Sequence, residues 1–326
     1  MGLILLVGVI TLSLMKPVTV IAIGGNSLIR SKDKSSFADQ LATTADTCRH
    51  IADIVEAGHD VVVTHGNGPQ VGFILIRSHL ARNRLPEVPL DACNAQTQAE
   101  VGYMIQQSLD NEFKARGIAK PVVTVVTQVV VDAADPAFQH PSKPVGPFYT
   151  KGEAAKLERE LGWLLREDAG RGFRRLVPSP RPVDVVEKPE VETLLRSGAV
   201  VVACGGGGIP VIRDNGTLKG VAAVIDKDLA SSLLAGEIGA ERLVISTAVE
   251  QVYLNYGQAN QTALARVSAK DMEKHVAARQ FPAGSMGPKI EAALDFLKRG
   301  GKEVVITDPD HLAEAMAGRA GTHITV

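Results

Sequence analysis

The stretch VIAIGGNSLIR, residues 20–30, runs an apolar strand into two glycines and an asparagine. An unbroken apolar run followed by helical sequence reads as a strand buried on both faces of a parallel sheet. The glycines let the backbone close around something small and anionic. Phosphate-holding loops usually come with a lysine. Here the strand position is Ala22 and the first basic residue downstream is Arg30. If the loop holds phosphate, its positive charge must come from elsewhere.

Working outward, strands and helices alternate. VTVIAI (18–23) is followed by a helix over about 36–57, ending at Gly58. DVVVTH (60–65) follows, then HGNGPQVG and a helix to about 82. A long helix is read over 94–116, and the β-branched run 121–131 as one long strand. Residues 132–182 interrupt the pattern with a proline-dense stretch that brackets a charged helix. This stretch reads as an inserted subdomain or lid; a surface excursion without a role is the alternative. A helix over 188–197 leads into AVVVACGGGGIPVI. The DNG at 214–216 makes a turn between two extended segments. A helix after VIDKD, strands 243–247 and 251–255, a helix over 284–301, EVVIT, a last helix and HITV complete the pattern.

Bulk composition narrows the class. The 326 residues are 45% hydrophobic and 22% charged, enough for a full core in two domains or one large α/β unit. A formal net charge of −1 and 4% aromatics give no sign of a nucleic-acid surface. Three cysteines (Cys48, Cys93 and Cys204) with no CxxC point away from a disulfide framework or a zinc cluster, and toward a reducing cytoplasm. Residues 1–15 form an apolar N-terminal extension, short for a membrane span of ~20 residues. As a signal peptide it lacks a basic start and a small-x-small cleavage site. It reads as non-essential; an anchor or a helix is the alternative.

Three glycine loops each follow a strand: GGN (24–26), HGNG (65–68) and GGGG (205–208). All three suit the carboxyl edge of an open α/β sheet, where ligands bind. The sequence excludes two common versions. No GxxxxGK[ST] occurs, and in a GxGxxG frame from Gly205 the third glycine position is Pro210. A P-loop NTPase and a nicotinamide enzyme are therefore disfavoured.

Three lysines are candidates for the charge. Lys227 in VIDKDLAS opens a helix, where a lysine opposes the helix dipole unless an anion is bound. Lys289 in GSMGPKIEA has the same unusual position. Lys143 sits between Pro141 and Pro144 in the insert. Asp226 suits an N-cap, and Asp228 either orients a lysine or faces a metal. His65 and Cys204 are read as structural, a hydrogen-bonding residue beside a turn and a small buried residue.

The segments AIGGNSL, HGNGPQVG, DPAFQHPSKPVGPFY, EDAGRGFRRLVPSPRPVDVVE, ACGGGGIPVI, VIDKDLAS and GSMGPKIEA resemble the carbamate kinases of the amino acid kinase superfamily. The resemblance runs from about residue 16 to the C-terminus, and the insert is its most specific part. It implies a three-layer αβα sandwich around a mainly parallel, roughly eight-stranded open sheet, with a small protruding subdomain at 132–182. Residues 16–203 would bind carbamate or carbamoyl phosphate, and residues 204–326 ATP or ADP with Mg²⁺. The implied reaction is reversible phosphoryl transfer between ATP and carbamate, running toward ATP in arginine catabolism, in a cytoplasmic homodimer without nucleic-acid or membrane partners. Carried over by position, Gly24, Gly25, Asn26, Gly66, Asn67 and Gly68, with Gly205 and Gly206, would hold the phosphoryl group. Lys227 and Lys289 would neutralise it, Asp228 would hold those lysines, and Lys143 would reach in from the insert. Asp226, Met286 and Gly287 fall to the nucleotide. The protein itself is expected to supply no metal ligand, Mg²⁺ arriving on the nucleotide. Ala22, where many relatives acting on larger carboxylates or nucleotides carry lysine, favours carbamate over acetylglutamate or UMP. An inactive metabolite-binding relative is the other alternative. Ala248 departs from the Asp or Gly common in relatives.

Overall fold

The computed structural model describes residues 17–30, 34–168, 170–282 and 284–326. The apolar extension expected at 1–15 lies outside the described residues. The centre is an eight-stranded sheet. From one edge to the other it runs Arg266–Ser268, Thr322–Thr325, Glu303–Thr307, Arg242–Ser246, Val18–Ile23, Asp60–His65, Val200–Val202 and Val122–Thr124. The last six are mutually parallel, and only the pairing of Glu303–Thr307 with Thr322–Thr325 is antiparallel.

The buried strand Val18–Ile23 explains the layering. Its residues alternate between faces, so Val18, Val20 and Ala22 belong to one core and Ile21 and Ile23 to the other. Helices Lys188–Arg196, Lys227–Glu237 and Met286–Lys298 close the first face. Helices Phe37–Glu56, Leu90–Arg116 and Leu312–Met316 close the second. Each fully buried Val or Ile contributes about 1.5–3 kcal/mol, which makes the two apolar faces the main source of stability. Local signals set the helix ends. Ser36 and Asp39 form a capping box, and Gly117 ends its helix at φ 71.

The fold departs from the sequence reading in four places. The run 121–131 is two strands, not one: Val122–Thr124 edges the main sheet, while Gln128–Val131 joins a separate four-stranded sheet with Thr217–Gly220, Ile209–Asp214 and Pro182–Val185. Gln98 makes the break, since its side chain bonds both the N–H and the C=O of Thr127. Residues 252–254 lie in a hairpin with Thr262–Leu264, outside the main sheet. The edge strand Arg266–Ser268 has too short an apolar run to be read from sequence. The long helix begins at Leu90 rather than 94.

The insert is a built subdomain. Strands Lys143–Tyr149, Phe173–Val177 and Leu164–Glu167 form an antiparallel sheet that carries helix Lys151–Leu161. Its root packs Val145 and Val177 against Val71 and Ile74 of helix Gly68–Ala81. The DNG turn is as expected, with Asn215 and Gly216 both at positive φ between paired strands.

Candidate active site

Four loops leave the same edge of the main sheet, at the carboxyl ends of neighbouring parallel strands. They follow Ile23, His65, Val202 and Ser246. Where they meet, Gly24 has no room for a side chain and Gly66 is closely packed. A methyl group on Gly24 would stand 2.8 Å from the Ser246 carbonyl oxygen. One on Gly66 would touch Lys227 Cδ at 3.4 Å and lie 3.9 Å from the Gly25 nitrogen. Gly66, Gly25 and the Lys227 side chain are thus one cluster. The side chain of Asn26 lies outside the described residues.

Two helix starts bring in the charge. Asp228 is buried, and its two oxygens are divided between lysines: Lys227 Nζ donates to Oδ1 at 2.5 Å and Lys289 Nζ to Oδ2 at 3.0 Å. Burial alone would raise the Asp228 pKa, but the two ammonium groups outweigh it and hold the carboxyl at about 2. Burial also pulls the Lys227 pKa down, against the opposing pull of Asp228. Two cations on one anion leave a net positive charge. The N-terminal ends of helices Lys227–Glu237 and Met286–Lys298 add to it. The arrangement suits an incoming anion.

Asp226 caps the first of these helices by accepting from Asp228 N at 2.9 Å. Its other oxygen accepts from Lys143 Nζ at 2.8 Å, so the insert's lysine is tied to the helix start. Met286 and Gly287 lie in the first turn of the second helix. Gly287 borders an open cleft of about 470 Å³ together with Arg181, Phe281 and Pro288.

Gly205 and Gly206 are fully buried behind the HGNG loop. Gly205 is crowded by the His65 ring and its carbonyl accepts from Gln98 Nε2 at 2.9 Å. Gly206 lies against the side chains of Asn67 and Asn94. His65 bonds Gly66 O through Nδ1 at 2.9 Å, and burial pushes its pKa down to about 4, so the ring is neutral. Cys204 is buried, with its thiol pKa driven up by burial. Ala248 is exposed in the bend after Ser246. Gly68 opens helix Gly68–Ala81.

One part of the site was not read from the sequence. Asn94, Thr97 and Gln98, one face of helix Leu90–Arg116, point inward beneath the loops. The spacing i, i+3, i+4 was visible. Polar residues at that spacing ordinarily mark a solvated face.

The amino acid kinase family model matches residues 17–308. This chain belongs to the amino acid kinase family. Within that family it is 48% identical over 308 residues to the carbamate kinase of Pyrococcus horikoshii, covering 94% of this chain and 98% of that one. It is 47% identical to the carbamate kinase-like protein YahI of Escherichia coli, covering 95% and 99%. The structure of the carbamate kinase from Giardia lamblia bound to AMP-PNP superposes with a TM-score of 0.90 at 42% identity, over 95% of this chain and 98% of that one. The amino acid kinase fold thus accounts for the whole described chain. Among the described residues no helix is long and apolar enough to cross a membrane.

Proposed function

We infer that the protein is a carbamate kinase, catalysing reversible phosphoryl transfer between ATP and carbamate. The observation that carries this reading is Asp228 held between Lys227 and Lys289 beside Gly66 and Gly25. Carbamate is already an anionic nucleophile, so no general base is needed. Phosphoryl transfer then rests on positioning and charge neutralisation. Lysines with backbone N–H groups, and a histidine kept neutral by burial, fit that requirement.

In this reading residues 16–203 take carbamate or carbamoyl phosphate and residues 204–326 take the nucleotide. The glycine loops and the two helix starts share the transferred phosphoryl group. Lys143 reaches it from the insert by leaving Asp226. Mg²⁺ is assigned to the nucleotide phosphates, which usually supply its ligands together with at most one or two carboxylates; Asp226 and Asp228 are both paired to lysines. We further assign the enzyme to the cytoplasm, as a homodimer running toward ATP in arginine catabolism; its three cysteines, free and buried, suit a reducing compartment.

The test is ATP formation from ADP and carbamoyl phosphate with Mg²⁺, with UMP and acetylglutamate as alternative acceptors from ATP. Turnover with carbamoyl phosphate and none with the alternatives is expected. The opposite pattern would move the chain to another branch of the family.

A further inference from the structure

Asn67 occupies the N-cap of helix Gly68–Ala81, yet its side chain makes no capping hydrogen bond. An N-cap asparagine ordinarily spends its carbonyl oxygen on the first helical N–H groups. Here the amide is turned the other way. Its Nδ2 donates to Asn94 Oδ1 and to Thr97 Oγ1, the latter at 2.8 Å.

Backbone carbonyls enforce that orientation. Asn94 Nδ2 donates to the carbonyl oxygen of Gly208, which can only accept, so Asn94 Oδ1 must face Asn67. Thr97 Oγ1 gives its proton to the carbonyl of Asn94 at 2.7 Å, so its lone pairs face Asn67. Both partners of Asn67 can therefore only accept. Flipping the amide would set oxygen against oxygen twice, in a site where Thr97 is fully buried and Asn67 nearly so. With both donors committed, the one polar atom the Asn67 side chain can offer a ligand is Oδ1, an acceptor. The Nδ2 edge of the amide packs on Gly206. The preceding residue, Gly66, packs on the Lys227 side chain.

An acceptor is a poor neighbour for phosphoryl oxygens and a good one for N–H. We propose that Asn67 Oδ1 recognises the amino group of carbamate and of carbamoyl phosphate, and that Asn94 and Thr97 are positioning residues that hold it as an acceptor. This rests on the carbamate reading above and deepens it. The backbone of the HGNG loop, rather than the Asn67 amide, is left to face the phosphoryl group. The device separates carbamoyl from acetyl groups, which have the same shape but a methyl in place of NH₂. A methyl would leave the Asn67 oxygen without a partner. Sites built to bond a substrate N–H reject analogues lacking it by up to ~10⁴–10⁵-fold.

The experiment measures kcat/KM for ATP formation from ADP with carbamoyl phosphate and with acetyl phosphate, and takes their ratio. One preparation serves both donors, so any loss of folded enzyme cancels. The ratio is expected to fall on the order of 10²-fold in Asn67→Ala. It should fall at least ~10-fold in Thr97→Val, which keeps the shape and loses the acceptor, and stay near wild type in Thr97→Ser, which restores the hydroxyl. An unchanged ratio in Asn67→Ala, with both donors losing activity alike, would overturn the proposal and return Asn67 to the shared phosphoryl group. A wild-type enzyme inactive with carbamoyl phosphate would instead remove the carbamate reading and this assignment with it.

Discussion

Lys143 Nζ meets Asp226 Oδ2 at 2.8 Å, across 83 residues of sequence. One carboxylate therefore holds the insert's lysine and caps the helix on which Lys227 stands. If, as proposed, the lysine serves the carbamoyl half of the site, Lys143→Met raises KM for carbamoyl phosphate on the order of 10-fold while KM for ADP changes little. Steady-state kinetics with each substrate varied would check this. Equal rises in both constants would place Lys143 outside the carbamoyl end.

In the proposed reading Lys227 and Lys289, both paired with Asp228, supply the charge that the first glycine loop lacks. Lys227→Ala or Lys289→Ala should each lower kcat on the order of 10²-fold or more, the range seen when an electrostatic stabiliser is removed. Asp228→Ala acts differently. It leaves two ammonium groups facing each other around a lost anion, in a site where their side chains are only 14% and 17% exposed. Removing one partner of a buried pair costs about 3–5 kcal/mol, and the residual exposure of the lysines puts this case at the lower end. Chemical denaturation should therefore separate the variants: Asp228→Ala unfolds earlier, while either lysine variant stays close to wild type in midpoint. Comparable stability in all three would mean that the aspartate is not the counter-ion.

The placement of these residues was partly legible in the sequence, for physical reasons. Apolar runs such as 18–23 and 60–65 have one interpretation in an α/β chain, because both faces of the strand are covered. Lys227 and Lys289 stood out because a lysine in a first helical turn is electrostatically misplaced without an anion. The double strand in 121–131 was invisible: both pieces are β-branched, and the break comes from Gln98, a residue on another element. The inward face of Asn94, Thr97 and Gln98 was invisible for a related reason. A helix polar on one side looks solvated until the sheet loops that need its donors are placed above it. Pairings such as Lys143 with Asp226 depend on tertiary closure that no local pattern encodes.

His65 gives the site a pH signature. Burial lowers its folded pKa to about 4, against an ordinary value of about 6.5. The unfolded chain therefore binds a proton below about pH 6.5 that the folded protein refuses until about pH 4. Stability from this group is complete above pH 6.5, falls as pH drops toward 4, and levels off below. Its full extent is roughly 3 kcal/mol at 1.36 kcal/mol per pH unit. His65→Asn keeps a donor for the Gly66 carbonyl and removes the titration. Urea unfolding at several pH values should show the wild type losing stability more steeply than the variant between pH 6.5 and 4.5. Parallel curves would assign the acid sensitivity to other groups.

Gly206 tests how tightly the loops are packed on the inward polar face. It sits at φ +67, and a methyl group there would overlap Asn67 Nδ2 and Asn94 Oδ1. Gly206→Ala thus carries two costs: about 1–2 kcal/mol for a left-handed backbone with a side chain and about 1–3 kcal/mol for overpacking. Gly216 separates them, since it has φ +81 and nothing within 4 Å of the added methyl. Gly216→Ala should cost only the backbone share and leave turnover intact. Gly206→Ala should cost more by the overpacking share, and should weaken selectivity for carbamoyl over acetyl phosphate because it pushes Asn67 off its two acceptors. If the two variants unfold at the same denaturant concentration, Asn67 and Asn94 have room to move, and the rigid orientation on which that selectivity depends is lost.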